Sequence, residues 1–170
     1  MQVVIQILKN IVHRLLVLPV MLIGWIIALV IRAMWGRDLS WHSGVLVVRL
    51  APDSWPLNPS KKHGGWYAKW AGTSFGHGIM LHDTASDVAL RHELRHTKQT
   101  DSNTVAGLLL AIPVAFESWW MAAIVWVTMP ICAYVGAMLI AWLRGEDPYR
   151  GNHLEEAAYA AEREHGIIDA

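Results

Sequence analysis

The chain has 170 residues, of which 54% are apolar and ten are tryptophan, with a mean hydropathy of +0.31. That suits one domain whose solvent is partly lipid, because an ordinary water-facing surface does not tolerate so much apolar residue. Fourteen basic and fourteen acidic residues balance with no long block of either sign, which excludes a nucleic-acid footprint and an acidic tail, and the single cysteine, Cys132, excludes an internal disulfide framework or a cysteine-rich zinc knuckle.

Leu15 to Ile31 is an uncharged stretch of 17 residues, continued beyond Arg32 by Ala33 to Trp35 and bracketed by Lys9, Arg14 and Arg37. It is just long enough to cross a hydrocarbon core of about 30 Å. Ile31-Arg32-Ala33 offers no small-x-small cleavage site, which favours a retained anchor helix over 1–35 rather than a signal peptide. Gly24, Trp25 and Trp35 suit a membrane span better than a buried soluble helix.

Residues 36–104 form a more polar middle segment. "GVLVVRL" (44–50) is β-branched and apolar and reads as a strand. The Pro- and Gly-rich stretch after it, 51–65, reads as a loop. "FGHGIMLH" (75–82) predicts a second short strand whose glycines permit close backbone approach. A helix follows, with Asp83 or Thr84 as its cap and Asp87 three residues after Thr84 in a capping-box arrangement.

That helix carries His92-Glu93-Leu94-Arg95-His96. Residues four apart share a helix face, so both imidazoles can reach one cation. Glu93 lies about 100° round the helix from His92, where its carboxylate can act on a water at the metal as general base. Leu94 points the other way and can join Leu90 in the core. Catalytic zinc takes three protein ligands, so the pattern needs a third.

Val105 to Leu143 is a run of 39 residues with one charge, Glu117. One metal cannot be held from both sides of a membrane, so if the third ligand lies beyond this run, the run must return to its starting side. A turn at Glu117-Ser118 or at Thr128-Met129-Pro130 gives an apolar helical hairpin with unequal arms; the alternative is a hairpin that dips into one leaflet with Trp119, Trp120, Trp126 and Trp142 near interfaces. Glu117 reads as a turn carboxylate at the interface rather than an intramembrane acid.

In the C-terminal segment, 144–170, Asn152 can cap a helix bearing Glu155, Glu156, Glu162 and Glu164. Here the chain resembles the gluzincin clan of zinc metallopeptidases. Glu155-Glu156-Ala157-Ala158 is similar to the Glu-x-x-Ala element of the membrane-bound heat-shock and CAAX-prenyl endopeptidases. "HELRHTKQ" with "YRGNHLEEAAY" resembles small bacterial and phage domains that pair His-Glu-Leu-x-His-x-x-Gln with Tyr-Arg-x-Asn-x-x-Glu. The resemblance implies Zn2+ held by His92, His96 and Glu155, with Glu156 as a substitute ligand, Glu93 as the base and a peptide or protein as substrate. Tyr159 stands where the membrane endopeptidases commonly have an aspartate, and His153 where the small domains often have proline.

Tyr149, His153, Tyr159 and His165 are candidates for stabilising the transition state or supporting a ligand. Arg95 can pair with Glu155 or Glu156 or meet a substrate carbonyl, with a salt bridge the simpler account. His77 and His82 read as ordinary polar positions beside the site. The tryptophans of "GGWYAKWAG" suit either a membrane surface or the core. The expected fold is α+β: a small zincin-like core over 36–170, an N-terminal membrane helix and an apolar hairpin. Eight lysines and arginines in the middle segment favour a cytoplasmic active site in the membrane protein. The competing class is a non-catalytic membrane accessory protein, of phage type for instance, that keeps the fold. A membrane di-iron oxidase needs more converging ligands than the chain supplies. No residue pattern speaks to oligomeric state.

Overall fold

The apolar run at 44–50 lies at the centre of a sheet. In the computed structural model, which describes residues 2–58, 60, 64, 65 and 67–163, the strands β1 (Gly36–His42), β2 (Val45–Leu50), β3 (Gly72–Phe75) and β4 (Gly78–Leu81) are ordered β1-β2-β4-β3. β2 and β4 are parallel, and β1 and β3 pair antiparallel on the outside. A strand covered on both faces has no reason to alternate apolar with polar. Val48 and Leu50 pack with Ala28 and Ile31 of helix α1 (Gln2–Trp35), whereas Val45 and Val47 pack on the other face beside Leu90 and Leu94 of helix α2 (Asp87–Ala115). The expected core role of Leu90 and Leu94 is therefore observed.

The membrane-length helix begins well before Leu15, and its second half belongs to the fold. Val17, Met21, Gly24, Ala28 and Ile31 are buried at the alternating spacing of three and four that marks one helix face. Gly24 and Gly78 let α1 cross β4 almost backbone to backbone: a Cβ on Gly78 would meet the Gly24 carbonyl oxygen at 2.0 Å. The Trp25 indole donates to the Gly44 carbonyl at 3.0 Å and ties the helix to the β1–β2 turn. α1 runs antiparallel to α2, with His13 against Asp101 and Ile5, Leu8 and Val12 gathered around Val105.

Two local expectations change. Residues 75–82 are a tight turn joining two strands rather than one strand: Phe75 pairs with Gly78 across Gly76-His77, and Gly76 takes a φ of 62° that only glycine adopts without strain. The cap of α2 is Ser86, whose hydroxyl accepts from the Ala89 N–H at 3.4 Å. Asp83 and Thr84 are instead engaged with the His82 imidazole in the preceding turn.

The 105–143 run is a hairpin that turns at Phe116–Ser118, and Thr128-Met129-Pro130 lies inside helix α3 (Trp119–Leu143). The unequal arms have a simple cause: the first arm is the distal half of α2, which already extends from Asp87. Glu117 is exposed in the turn. Helix α4 (His153–Arg163) packs back on α2. α3 is 25 residues long, reaches a mean hydropathy of 2.0 over an 18-residue stretch and is scarcely buried there, unlike a core helix. The result is a mixed α+β fold with two apolar helices of membrane length, α1 and α3, as a membrane-associated protein requires.

Candidate metal centre

His92 and His96 stand one turn apart on α2, both largely buried, with ring centroids 4.8 Å apart and Nε2 atoms 3.0 Å apart. Glu155 enters from α4. Its position follows from Asn152, whose side-chain oxygen accepts from the Leu154 and Glu155 N–H groups at 3.1 and 3.0 Å, as expected of the helix cap. The Glu155 carboxylate then lies 3.2 Å from His92 Nε2 through Oε2 and 3.3 Å from His96 Nε2 through Oε1. One atom of each residue lies within 4.8 Å of the others. Burial works against the Glu155 charge, but the adjacent His92 and His96 imidazoles and the hydrogen bond from the Tyr134 hydroxyl outweigh it and hold the carboxyl at about 2.

The donor set fits a divalent cation. Gln99 donates through Nε2 to the Leu154 carbonyl at 2.7 Å, which turns its Oε1 towards His96 Nδ1, 2.8 Å away. Nδ1 must then carry the hydrogen, and in the neutral ring Nε2 presents a lone pair towards Glu155. Glu155 Oε2 is buried without a hydrogen bond, an orphan that a cation would satisfy. Two imidazoles and a carboxylate are borderline donors of the kind that hold zinc and also accommodate iron.

Glu93 is buried beside the cluster against the edge strand β3. A Cβ on Gly72 would fall 2.7 Å from Glu93 Cγ and 2.9 Å from its Oε1, so a side chain there would displace the carboxylate. Burial raises the Glu93 carboxyl to about 7, with the Glu155 charge adding to the rise and His96, His92 and the Ser74 N–H opposing it. Burial likewise disfavours protonated His96, yet Glu155, Gln99 and Glu93 together leave its pKa raised. A cavity of about 720 Å³ opens from this cluster, with Glu93, His96, Gln99, Tyr149 and Glu155 among its lining.

The remaining sequence candidates divide. The Tyr159 ring lies 4.9 Å from that of His92. Tyr149 lines the cavity, edge-on to Trp70 at 5.4 Å; its hydroxyl is pushed up by burial and by the Glu155, Tyr159 and Glu93 charges, and so stays protonated. Glu156, His153 and Arg95 are exposed. Glu156 lies outside the cluster, and Arg95 makes no ion pair with Glu155 or Glu156 among the described residues. His165 lies outside the described residues, as does Trp66. His77 is not an ordinary polar position: it is buried between the Gly44 carbonyl, 3.1 Å from Nδ1, and Asp101, 2.8 Å from Nε2.

Two residues at the cluster have no role in the sequence reading. The Tyr134 hydroxyl on α3 donates to Glu155 Oε1 at 2.7 Å, and Gln99 orients His96. Their signals were present: a lone phenol within an apolar run, and a glutamine three residues past a ligand on the same helix face. Compared with protein-family models, with curated proteins and with solved structures, the chain finds no match.

Proposed function

We propose that the chain is a membrane-associated zinc-dependent metallopeptidase of the gluzincin type. The observation that carries this reading is the convergence of His92, His96 and Glu155 beside buried Glu93 at the floor of a cavity. The metal-binding capacity comes from that geometry, and peptide-bond hydrolysis from the resemblance of the two motifs. The outer edge of β3, which pairs with no strand among the described residues, lies at the same cavity and supports a peptide substrate, since a strand edge offers backbone groups to an extended chain.

His92, His96 and Glu155 hold the cation, with Glu156 set aside by its exposure. A bound Zn2+ supplies Lewis acidity and lowers the pKa of a water at the site towards about 7. Glu93, with its carboxyl near the neutral range, takes a proton and returns it to the leaving amine. Gln99 keeps His96 in the ligating tautomer, and Tyr134 keeps Glu155 turned towards the histidines. The protonated hydroxyl of Tyr149 is the donor suited to a developing oxyanion. In this reading residues 1–35 and 105–143 contact lipid, 36–104 and 144–170 build the site, and the site belongs on the cytoplasmic side.

The test is zinc content per chain, by elemental mass spectrometry on detergent-purified protein. Near-stoichiometric zinc that is lost in both His96→Ala and Glu155→Ala, and kept in Glu93→Gln while cleavage of a peptide library stops, is the expected result. No zinc after supplementation, or zinc indifferent to both ligand substitutions, would refute the reading.

A further inference from the structure

The cavity above the cluster has walls of unequal chemistry. Its floor is polar, with Glu93, His96, Gln99, Asn103 and Glu155, whereas its sides are Val20, Ile23 and Ile27 of α1 and Val127, Ile131 and Val135 of α3. These sides belong to the two helices of membrane length. α1 packs on α2 and on the sheet, α3 packs on α2 and α4, and no extended packing joins α1 to α3.

The residues between the two helices mark a mouth. Ile23, Ile131 and Val135 line the cavity yet are 45%, 67% and 57% exposed. A mouth used from water carries a polar rim, because a contiguous apolar surface is costly to expose to water. This rim is apolar, and it runs without a break into the exposed Leu22, Ile26, Ile124 and Leu139 on the outer faces of the same helices.

We propose that the cavity opens sideways into lipid between α1 and α3, and that its substrate is an apolar segment of a membrane-embedded polypeptide that reaches the metal cluster from within the bilayer. The proposal rests on the peptidase reading of the site. The volume adds a constraint. A helix about 10 Å across would fill 720 Å³ with only about 9 Å of its length, less than two turns. The segment therefore enters locally unwound, which also frees its backbone for hydrolysis. An alkyl chain would meet a polar floor of Glu93, His96, Gln99 and Asn103 with which it can make no hydrogen bond.

The experiment uses the full chain in phosphatidylcholine vesicles with a biotinylated apolar transmembrane peptide of leucine and alanine flanked by lysines. A photoreactive benzophenone side chain replaces Ile131 at the mouth or, as control, Ile140, which is also exposed on α3 but does not line the cavity. The expected result is several-fold more peptide adduct from the Ile131 position than from Ile140. Equal adducts, or an adduct at the Ile131 position with lipid alone, would overturn the proposal. Zinc content and cleavage of a soluble peptide are read on the same protein without the photoreactive group. Zinc-dependent cleavage with no preference for Ile131 removes the lateral mouth and keeps the peptidase. Preferred labelling at Ile131 in a protein that holds no zinc keeps the mouth and removes the peptidase.

Discussion

Gln99→Leu isolates the contribution of one side chain to the metal centre. Gln99 makes two contacts at once, accepting from His96 Nδ1 at 2.8 Å and donating to the Leu154 carbonyl at 2.7 Å, so it sets a ligand's tautomer and docks α4 to α2. Loss of the partner that orients a ligating histidine costs about 10–100-fold in metal affinity, or about 1.4–2.7 kcal/mol. Leucine also removes the hydrogen bond to the Leu154 carbonyl, which keeps its partner within helix α4, at a cost of about 0.5–1.5 kcal/mol of stability. For a chain of this size that lowers the melting temperature by about 1–6 °C. The assay is a competition titration of Zn2+ between the detergent-solubilised protein and a chelating dye, run well below the melting temperature of the variant. A lowered melting temperature with unchanged zinc affinity would refute the tautomer argument and leave Gln99 as a tie between two helices.

Tyr134→Phe removes a hydrogen bond to a buried carboxylate and is expected to weaken zinc binding about tenfold in the same titration, with unchanged affinity counting against a role for α3 in holding Glu155. Gly78→Ala places a Cβ 2.0 Å from the Gly24 carbonyl oxygen and is expected to cost about 1–3 kcal/mol or more through overpacking; thermal unfolding followed by tryptophan fluorescence would show no change only if α1 does not cross β4 here. His77 faces an acceptor from each ring nitrogen, an arrangement that favours the doubly protonated ring. Burial opposes that charge, as does Arg14, but the Asp101 contact and the Gly44 carbonyl outweigh them and raise its pKa. A raised histidine pKa stabilises the fold fully below the unfolded value of about 6.5, and that stability is lost as pH rises through the folded value. Melting temperature measured from about pH 5 to about pH 9 should fall along this course in His13→Gln, which removes the second histidine at Asp101, and the fall should become shallower when Asp101→Asn is added, the remainder belonging to Glu93 and His96, whose pKa values are also raised.

Legibility in the sequence followed the range of the interaction. Local signals carried far: β2 was readable from its apolar run, the face of His92 and His96 from their spacing, the start of α4 from Asn152 and the hairpin turn from Glu117. β1 was not, because "GRDLSWH" is an exposed edge whose strand character comes from pairing with β2. The Ser86 cap was missed because His82 competes for Asp83 and Thr84, a contact that propensity does not show. The burial of half of α1 depends on two glycines 54 positions apart, Gly24 and Gly78, and one-dimensional hydropathy scores a stripe facing a sheet and a stripe facing lipid alike. Tyr134 reaches Glu155 only because the hairpin returns, so its role appears in three dimensions alone.

The order of the cluster along the chain bears on biosynthesis. The histidines are made before residues 105–143 and Glu155 after them, so the carboxylate of the cluster arrives only when α3 has come back along α2. A ribosome-bound or half-inserted chain carries two imidazoles and no closed cluster. Completion of the cluster thus reports completion of the hairpin, and a chain whose hairpin fails to form never brings its carboxylate to the two histidines.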